Sequence, residues 1–259
     1  MAKRIISALS LFMMLWAFVG QVNAAESTEI TVSAAISLKN AFEEVGKLFE
    51  SSNWGIKVLF NFGASGDLKT QIKGGAPVDV FASAALKDMD ELSKEGFVLP
   101  DTKANFVTNT VVLIVPASSK ISTASFEDLT RSEISKIAVG NPKTVPAGRY
   151  TEETFQYYKI SEKLKDKLIF AENVRQVLDY VARGEVDAGV VYETDAIIRQ
   201  QEVKVAATAP ELSHKPIIYP ITVIKDAKNA QAAKMFVSFV LSEGGKIILE
   251  KHGFKPVRN

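Results

Sequence analysis

Residues 136–150, KIAVGNPKTVPAGRY, constrain this chain more than any other stretch. A short apolar run ends in a loop carrying Pro142, Pro146 and Gly148, and an amphipathic helix is predicted to follow at once, over 149–159. The first N–H groups of such a helix have no partner within it, and its start carries about half a positive charge. The loop around Ala147 and Gly148 is therefore a seat for an anion. The same order of strand, small or polar turn, then helix recurs at Ser37 in SAAISLKNAF, at Ser65 in NFGASGDLKTQI and at Val174 in AENVRQVLDYV. A fold that gathers these four helix starts would hold one oxyanion among them.

The wider pattern says how they could be gathered. Short runs rich in β-branched residues alternate with helical patterns, which predicts an α/β fold of βαβ units on mainly parallel sheet. Strands are expected at 29–34, 56–62, 78–83, 110–116, 136–140, 186–192 and 218–225. Leu38, Phe42, Val45 and Phe49 share one helical face, as do Val174, Val177, Leu178 and Val181, and both stripes read as core. Function is then expected where strands hand over to helices, because open α/β sheets bind ligands beyond the carboxyl ends of their strands.

The first residues bear on compartment. Lys3 and Arg4 precede an apolar run, and Val22-Asn23-Ala24 offers small residues for cleavage, so 1–24 reads as a secretory signal removed after Ala24 or Ala25. The run is too short and too interrupted for a membrane anchor. Without Lys3 and Arg4 the 31 basic residues become 29 against 30 acidic ones, a formal −1. That balance excludes the basic bias of a nucleic-acid partner and any polybasic membrane patch. Cysteine is absent, which excludes disulfides, thiolate metal sites, Cys nucleophiles and a lipidated N-terminal Cys. An exported chain of this kind must rely on its apolar core.

Two stretches interrupt the strand and helix alternation, 105–110 and the Pro-marked 210–220. Read as a pair of crossovers, they divide the chain into a first domain of 25–107 plus 219–259 and a second of 108–218, with a hinge between them. The helix expected at 229–242 would return to pack on the first domain.

The usual catalytic constellations are missing. His214 and His252 stand apart, neither at metal-ligand spacing, and His214 reads as a surface loop residue. No phosphate-binding Gly-rich loop follows the first strand, and Gly63-Ala64-Ser65-Gly66 only approximates a nucleophile elbow. What remains is a set of neutral donors: hydroxyls and N–H groups from Ser37 and Ser65, and backbone N–H groups from Ala147 and Val174. For each serine the alternative is helix N-capping. Asp67 and Glu172 are expected to complement helix dipoles while facing solvent. An exported hydrolase with Ser65 as nucleophile is the competing reading from a different class.

In AAISLKNAF, FGASGDLKTQI, GAPVDVFASA, AVGNPKTVPAGRY, ENVRQVL, GVVYETDA and the terminal KHGF the chain resembles the periplasmic molybdate-binding proteins that feed ABC importers. The resemblance implies a two-domain periplasmic-binding-protein fold of type II with the ligand in an interdomain cleft. It implies a monomer without enzymatic activity or cofactor, which binds molybdate or tungstate and delivers it to a membrane permease. Carried onto the matching motifs, the ligand-binding groups are Ser37, Ser65, Ala147, Val174 and Tyr192, with molybdenum held as its oxyanion and no direct cation ligands. Another tetrahedral oxyanion, such as sulfate or thiosulfate, is the nearest alternative ligand.

Overall fold

The computed structural model describes residues 27–257. The expected signal segment 1–24 lies outside them. In chain order, β1 (Thr28–Ala35), a 3₁₀ turn (Ile36–Leu38), α1 (Lys39–Ser52), β2 (Ile56–Gly63), α2 (Ser65–Lys73), β3 (Val80–Ala82), α3 (Leu86–Lys94) and β4 (Ala104–Thr108) come first. Then follow β5 (Val111–Pro116), β6 (Ile137–Gly140), α4 (Pro146–Tyr157), α5 (Ser161–Leu164), β7 (Leu168–Ala171), α6 (Val174–Ala182), β8 (Ala188–Tyr192), α7 (Glu193–Ile198) and β9 (Val203–Thr208). The chain ends with β10 (Ile218–Val223), α8 (Ala230–Leu241), α9 (Glu243–Lys251) and β11 (Lys255–Pro256).

Two sheets result, in the orders β11-β4-β10-β3-β1-β2 and β7-β6-β8-β5-β9. The chain leaves the first sheet after β4, completes the second from β5 to β9, and returns at β10. Each sheet is mixed. β1 pairs parallel with β2 and β3, and β6 pairs parallel with β7 and β8. The pairings of β10, β11 and β5 are antiparallel, so the mainly parallel sheet expected from the βαβ pattern holds for only part of each. The reason is the crossing itself: a strand that arrives from the other sheet is free of the crossover helix that forces parallel pairing.

The stretch expected as a crossover at 105–110 is largely strand, since β4 occupies it up to Thr108 and only Asn109 and Thr110 connect the sheets. β7 and β9 also go beyond the expected strands. β7 has only four residues, and β9, VKVAAT, is an edge strand whose Lys204 and Val205 face solvent.

Both expected helical stripes are buried. Phe42, Val45 and Phe49 of α1 are at most 1 % exposed, and Val177, Leu178 and Val181 of α6 are fully buried. Each such side chain removed from water contributes about 1.5–3 kcal/mol. α8 does return to the first sheet, where Phe236 packs edge-on against Phe49 at a centroid distance of 5.3 Å. One apolar core runs through both halves, from Ile30 and Val32 to Val112 and Val190. Residues at or just after the carboxyl ends of β1, β2, β6 and β7 line one cavity. Among the described residues no helix is long and apolar enough to cross a membrane.

Candidate functional site

Four of the five predicted groups sit where a strand gives way to a helical turn. Ala35 ends β1 and Ser37 lies in the 3₁₀ turn that leads into α1. Ala64 follows β2 in extended conformation (φ −70, ψ 138) as the N-cap of α2, so Ser65 is the first helical residue. Val145, also extended, precedes α4, whose first turn contains Pro146 and Ala147. The loop before it is folded by Asn141, whose backbone carbonyl accepts from Thr144 and Val145 at 3.1 and 2.8 Å and whose Oδ1 accepts from Lys143 at 3.1 Å. Gly148 allows that loop to close, because a Cβ there would stand 2.0 Å from the carbonyl oxygen of Gly140. Asn173 caps α6, accepting from Gln176 N–H at 3.0 Å, and Val174 follows it. The fifth group, Tyr192, ends β8.

Ser37, Ser65, Ala147, Val174 and Tyr192 all line one small, tightly closed cavity. All five are buried. Ala35, Ile36, Gly63, Ala64, Ala84, Val145 and Pro146 complete the wall, and no charged side chain lines it. Glu172 is exposed, and Asp67 lies outside the wall.

The hydrogen bonds speak against the capping reading of the serines. Neither is a cap: the helix after Ala64 has no side-chain cap, and neither does the turn after Ala35. Ser65 Oγ accepts from Ala84 N–H at 3.0 Å, and Ser37 Oγ lies 3.0 Å from the Tyr219 hydroxyl. A hydroxyl has one proton and two lone pairs. With a lone pair of Ser65 already used by Ala84, its proton is left for the cavity. The Tyr192 hydroxyl is buried and has no partner within the protein. Burial holds this phenol well above its ordinary pKa, so it stays protonated and is a donor too. Ala147 and Val174 add N–H groups from helical first turns, which lack acceptors within the helix. The arrangement offers donors, helix ends and no acceptor charge, and is suited to a small anion that carries no proton.

Cations stand nearby but are committed elsewhere. Arg149 pairs with the buried Asp88 of α3, and Lys69 lies 3.1 Å from the same carboxylate. Arg175 reaches Asn40 Oδ1 of α1 through two contacts of 3.2 Å, and its Nε is 3.4 Å from Asp195. Burial pushes the Asp195 carboxyl up to about 6, opposed by Arg175. The Arg149 and Arg175 contacts, with the bond from Gly66 N–H to Thr144 carbonyl at 2.9 Å, tie the elements of one sheet to those of the other around the cavity.

Sequence reasoning missed Tyr219, Asn109, Ala84 and the Arg–carboxylate pairs. Nothing in IYPITV separates Tyr219 from an ordinary core aromatic. His214, expected in a surface loop, is in a loop but half-buried, its ring 5.7 Å from that of Tyr150. Among the described residues no cluster of His, Cys, Asp or Glu could hold a metal ion.

A mixed α/β chain that crosses twice between two sheets and closes helix starts over a cavity has the architecture of a two-domain solute receptor. The family model described as bacterial extracellular solute-binding protein matches residues 30–255, and this chain belongs to that family, whose members bind solutes and are not enzymes. The Ser65 hydrolase reading is thereby set aside. The chain is 37% identical over 233 residues to the molybdate-binding protein ModA of Haemophilus influenzae, covering 89% of this chain and 91% of that one. It is 35% identical to ModA of Escherichia coli, over 89% and 90% of the two chains. The structure of the periplasmic molybdate-binding protein of Azotobacter vinelandii superposes with a TM-score of 0.80 at 23% identity, over 88% of this chain and all of that one, which supports the type II two-domain fold.

Proposed function

We propose that this protein captures molybdate outside the cytoplasmic membrane and delivers it to the permease of an ABC importer. The observation that carries the reading is the meeting of Ser37, Ser65, Ala147, Val174 and Tyr192 around one uncharged, donor-lined cavity. A dianion there receives charge-assisted hydrogen bonds of roughly 1.5–3 kcal/mol each, with about 0.3–2 kcal/mol from each helix end. Micromolar binding needs only about −8 kcal/mol net, so no buried Lys or Arg is required. Tungstate has the same charge and nearly the same size and binds alongside molybdate. Sulfate has shorter bonds and does not meet every donor at once. Hydrogen phosphate brings a proton that no carboxylate in the wall can take, leaving only hydroxyl lone pairs to meet it.

In this reading the first domain comprises 25–107 and 219–259 and the second 108–218, and the protein works in the periplasm as a monomer after removal of 1–24. The ligand needs no cofactor. Calorimetric titration of the protein from residue 25 onward with molybdate, tungstate and sulfate tests it. One molybdate or tungstate per chain is expected, at similar affinity, with sulfate a weak competitor in large excess. Sulfate binding as tightly as molybdate would overturn the assignment in favour of a general oxyanion receptor.

A further inference from the structure

Ser37 is held from behind by a chain of polar groups that do not line the cavity. Thr110 N–H donates to Asn109 Oδ1 at 2.9 Å, which fixes the amide with its nitrogen on the other side. Asn109 Nδ2 then lies 2.9 Å from Thr194 Oγ1 and 3.2 Å from the Tyr219 hydroxyl, and that hydroxyl lies 3.0 Å from Ser37 Oγ. Tyr219 is 0% exposed and Ser37 3%, so water does not mend a missing bond.

The direction of each proton follows from elementary chemistry. An amide nitrogen only donates, so Tyr219 accepts from Asn109 and has one proton left to place. Ser37 Oγ is the acceptor within its reach. Ser37 then has only its own proton to offer, and that proton turns to the cavity. If Ser37 donated to Tyr219 instead, the phenol proton would be left buried and unpaired, at the full cost of a desolvated donor. Burial also holds the Tyr219 phenol far above its ordinary pKa, so the proton is always present.

We propose that Asn109 and Tyr219 are positioning residues that fix Ser37 as a donor to the oxyanion in the cavity. The proposal rests on the molybdate reading of the cavity. A fully deprotonated dianion takes the Ser37 proton and leaves every hydroxyl in the chain paired. Asn109 lies in the short connection between β4 and β5 and bridges Thr194 of α7 to Tyr219 of β10, so the chain of bonds is anchored where the two sheets join.

A double-mutant cycle tests this with molybdate as the titrant. Tyr219→Phe, Ser37→Ala and the double variant are compared with the parent by calorimetry near neutral pH. Tyr219→Phe is expected to weaken molybdate binding roughly threefold to tenfold in the parent and less than about twofold in the Ser37→Ala background, because it acts through Ser37. Asn109→Ala, at a half-buried connection, is the second variant and should show the same dependence on Ser37. Equal losses in both backgrounds, or no loss at all, would overturn the relay while leaving the molybdate reading intact. A parent protein that binds no molybdate would overturn both.

Discussion

The choice of Ser at 37 and 65 is explained by what each hydroxyl already accepts. Ala84 N–H occupies Ser65 Oγ, and the Tyr219 hydroxyl lies against Ser37 Oγ, so each serine serves the fold with its oxygen and the cavity with its proton. Ser65→Ala should therefore cost on both counts: about 1–3 kcal/mol of stability from the orphaned Ala84 N–H, and roughly tenfold to a hundredfold in molybdate affinity. Chemical unfolding and calorimetry on one sample separate them, and a variant that lost stability yet bound like the parent would contradict the role in binding. Asp195, buried beside Arg175, gives a second residue-scale test. Its folded pKa is raised from 3.8 to about 6, so between those values the folded state holds a proton that the unfolded state has released. Stability from this group is then present at low pH and falls as the pH rises through that window. Carboxylates with lowered pKa, such as Glu44 and Asp187, act in the opposite sense, and only below their ordinary values of 4.5 and 3.8. Urea unfolding between pH 4.5 and 7 should show a decline with pH that Asp195→Asn flattens, and an unchanged slope would exclude Asp195 as its source. Residue roles of this kind were only half legible. Ser37 and Ser65 stood in recognisable turns and Tyr192 came only from the family resemblance, whereas Tyr219 and Asn109 matter through partners distant in sequence, which no local pattern records.

Among the elements, the helix starts carry the candidate site, yet the helix expected from 149 begins at Pro146 and the cap at Asn173 was not read from the sequence. The strands were less evenly readable. Runs such as VVLIVP announce a buried strand, while LIFA is too short and VKVAAT too exposed to stand out. The antiparallel partners of β10 and β5 follow from where the chain crosses between sheets, which lies beyond any one segment. Two substitutions test the helix starts. Ala147→Gly keeps the N–H and should weaken binding only slightly, whereas Ala147→Pro removes it and should lower molybdate affinity by roughly tenfold or more in a protein whose circular dichroism and melting are intact. Equal affinities for the two would contradict a backbone contact there. Gly66→Ala probes the closing surface instead. Its new Cβ would lie 2.6 Å from the Thr144 carbonyl oxygen across the cavity, while Ala suits a helix better than Gly by about 1 kcal/mol. The variant should melt no lower than the parent without ligand yet bind molybdate at least about tenfold more weakly, and undiminished binding would show that this approach is not needed.

For the whole molecule the account requires that two sheet units move. Ser37 and Ser65 are built on the first, Ala147, Val174 and Tyr192 on the second, and only the connections at 109–110 and 209–217 join them. An ion that bonds to both halves favours the closed arrangement, which the Asp88–Arg149 pair and the Gly66–Thr144 bond also hold. X-ray scattering should accordingly show a smaller radius of gyration on adding molybdate, and an unchanged radius despite tight binding would count against hinge closure. Of the two breaks that suggested a division into two units, the first is narrower than the sequence suggested, because β4 fills most of it. The most direct test of the central claim is an anomalous-difference map at the molybdenum edge from crystals grown with molybdate. The account predicts one peak per chain, enclosed by Ser37 Oγ, Ser65 Oγ, the N–H groups of Ala147 and Val174, and the Tyr192 hydroxyl. A peak outside that cavity, in a protein that binds molybdate in solution, would contradict it.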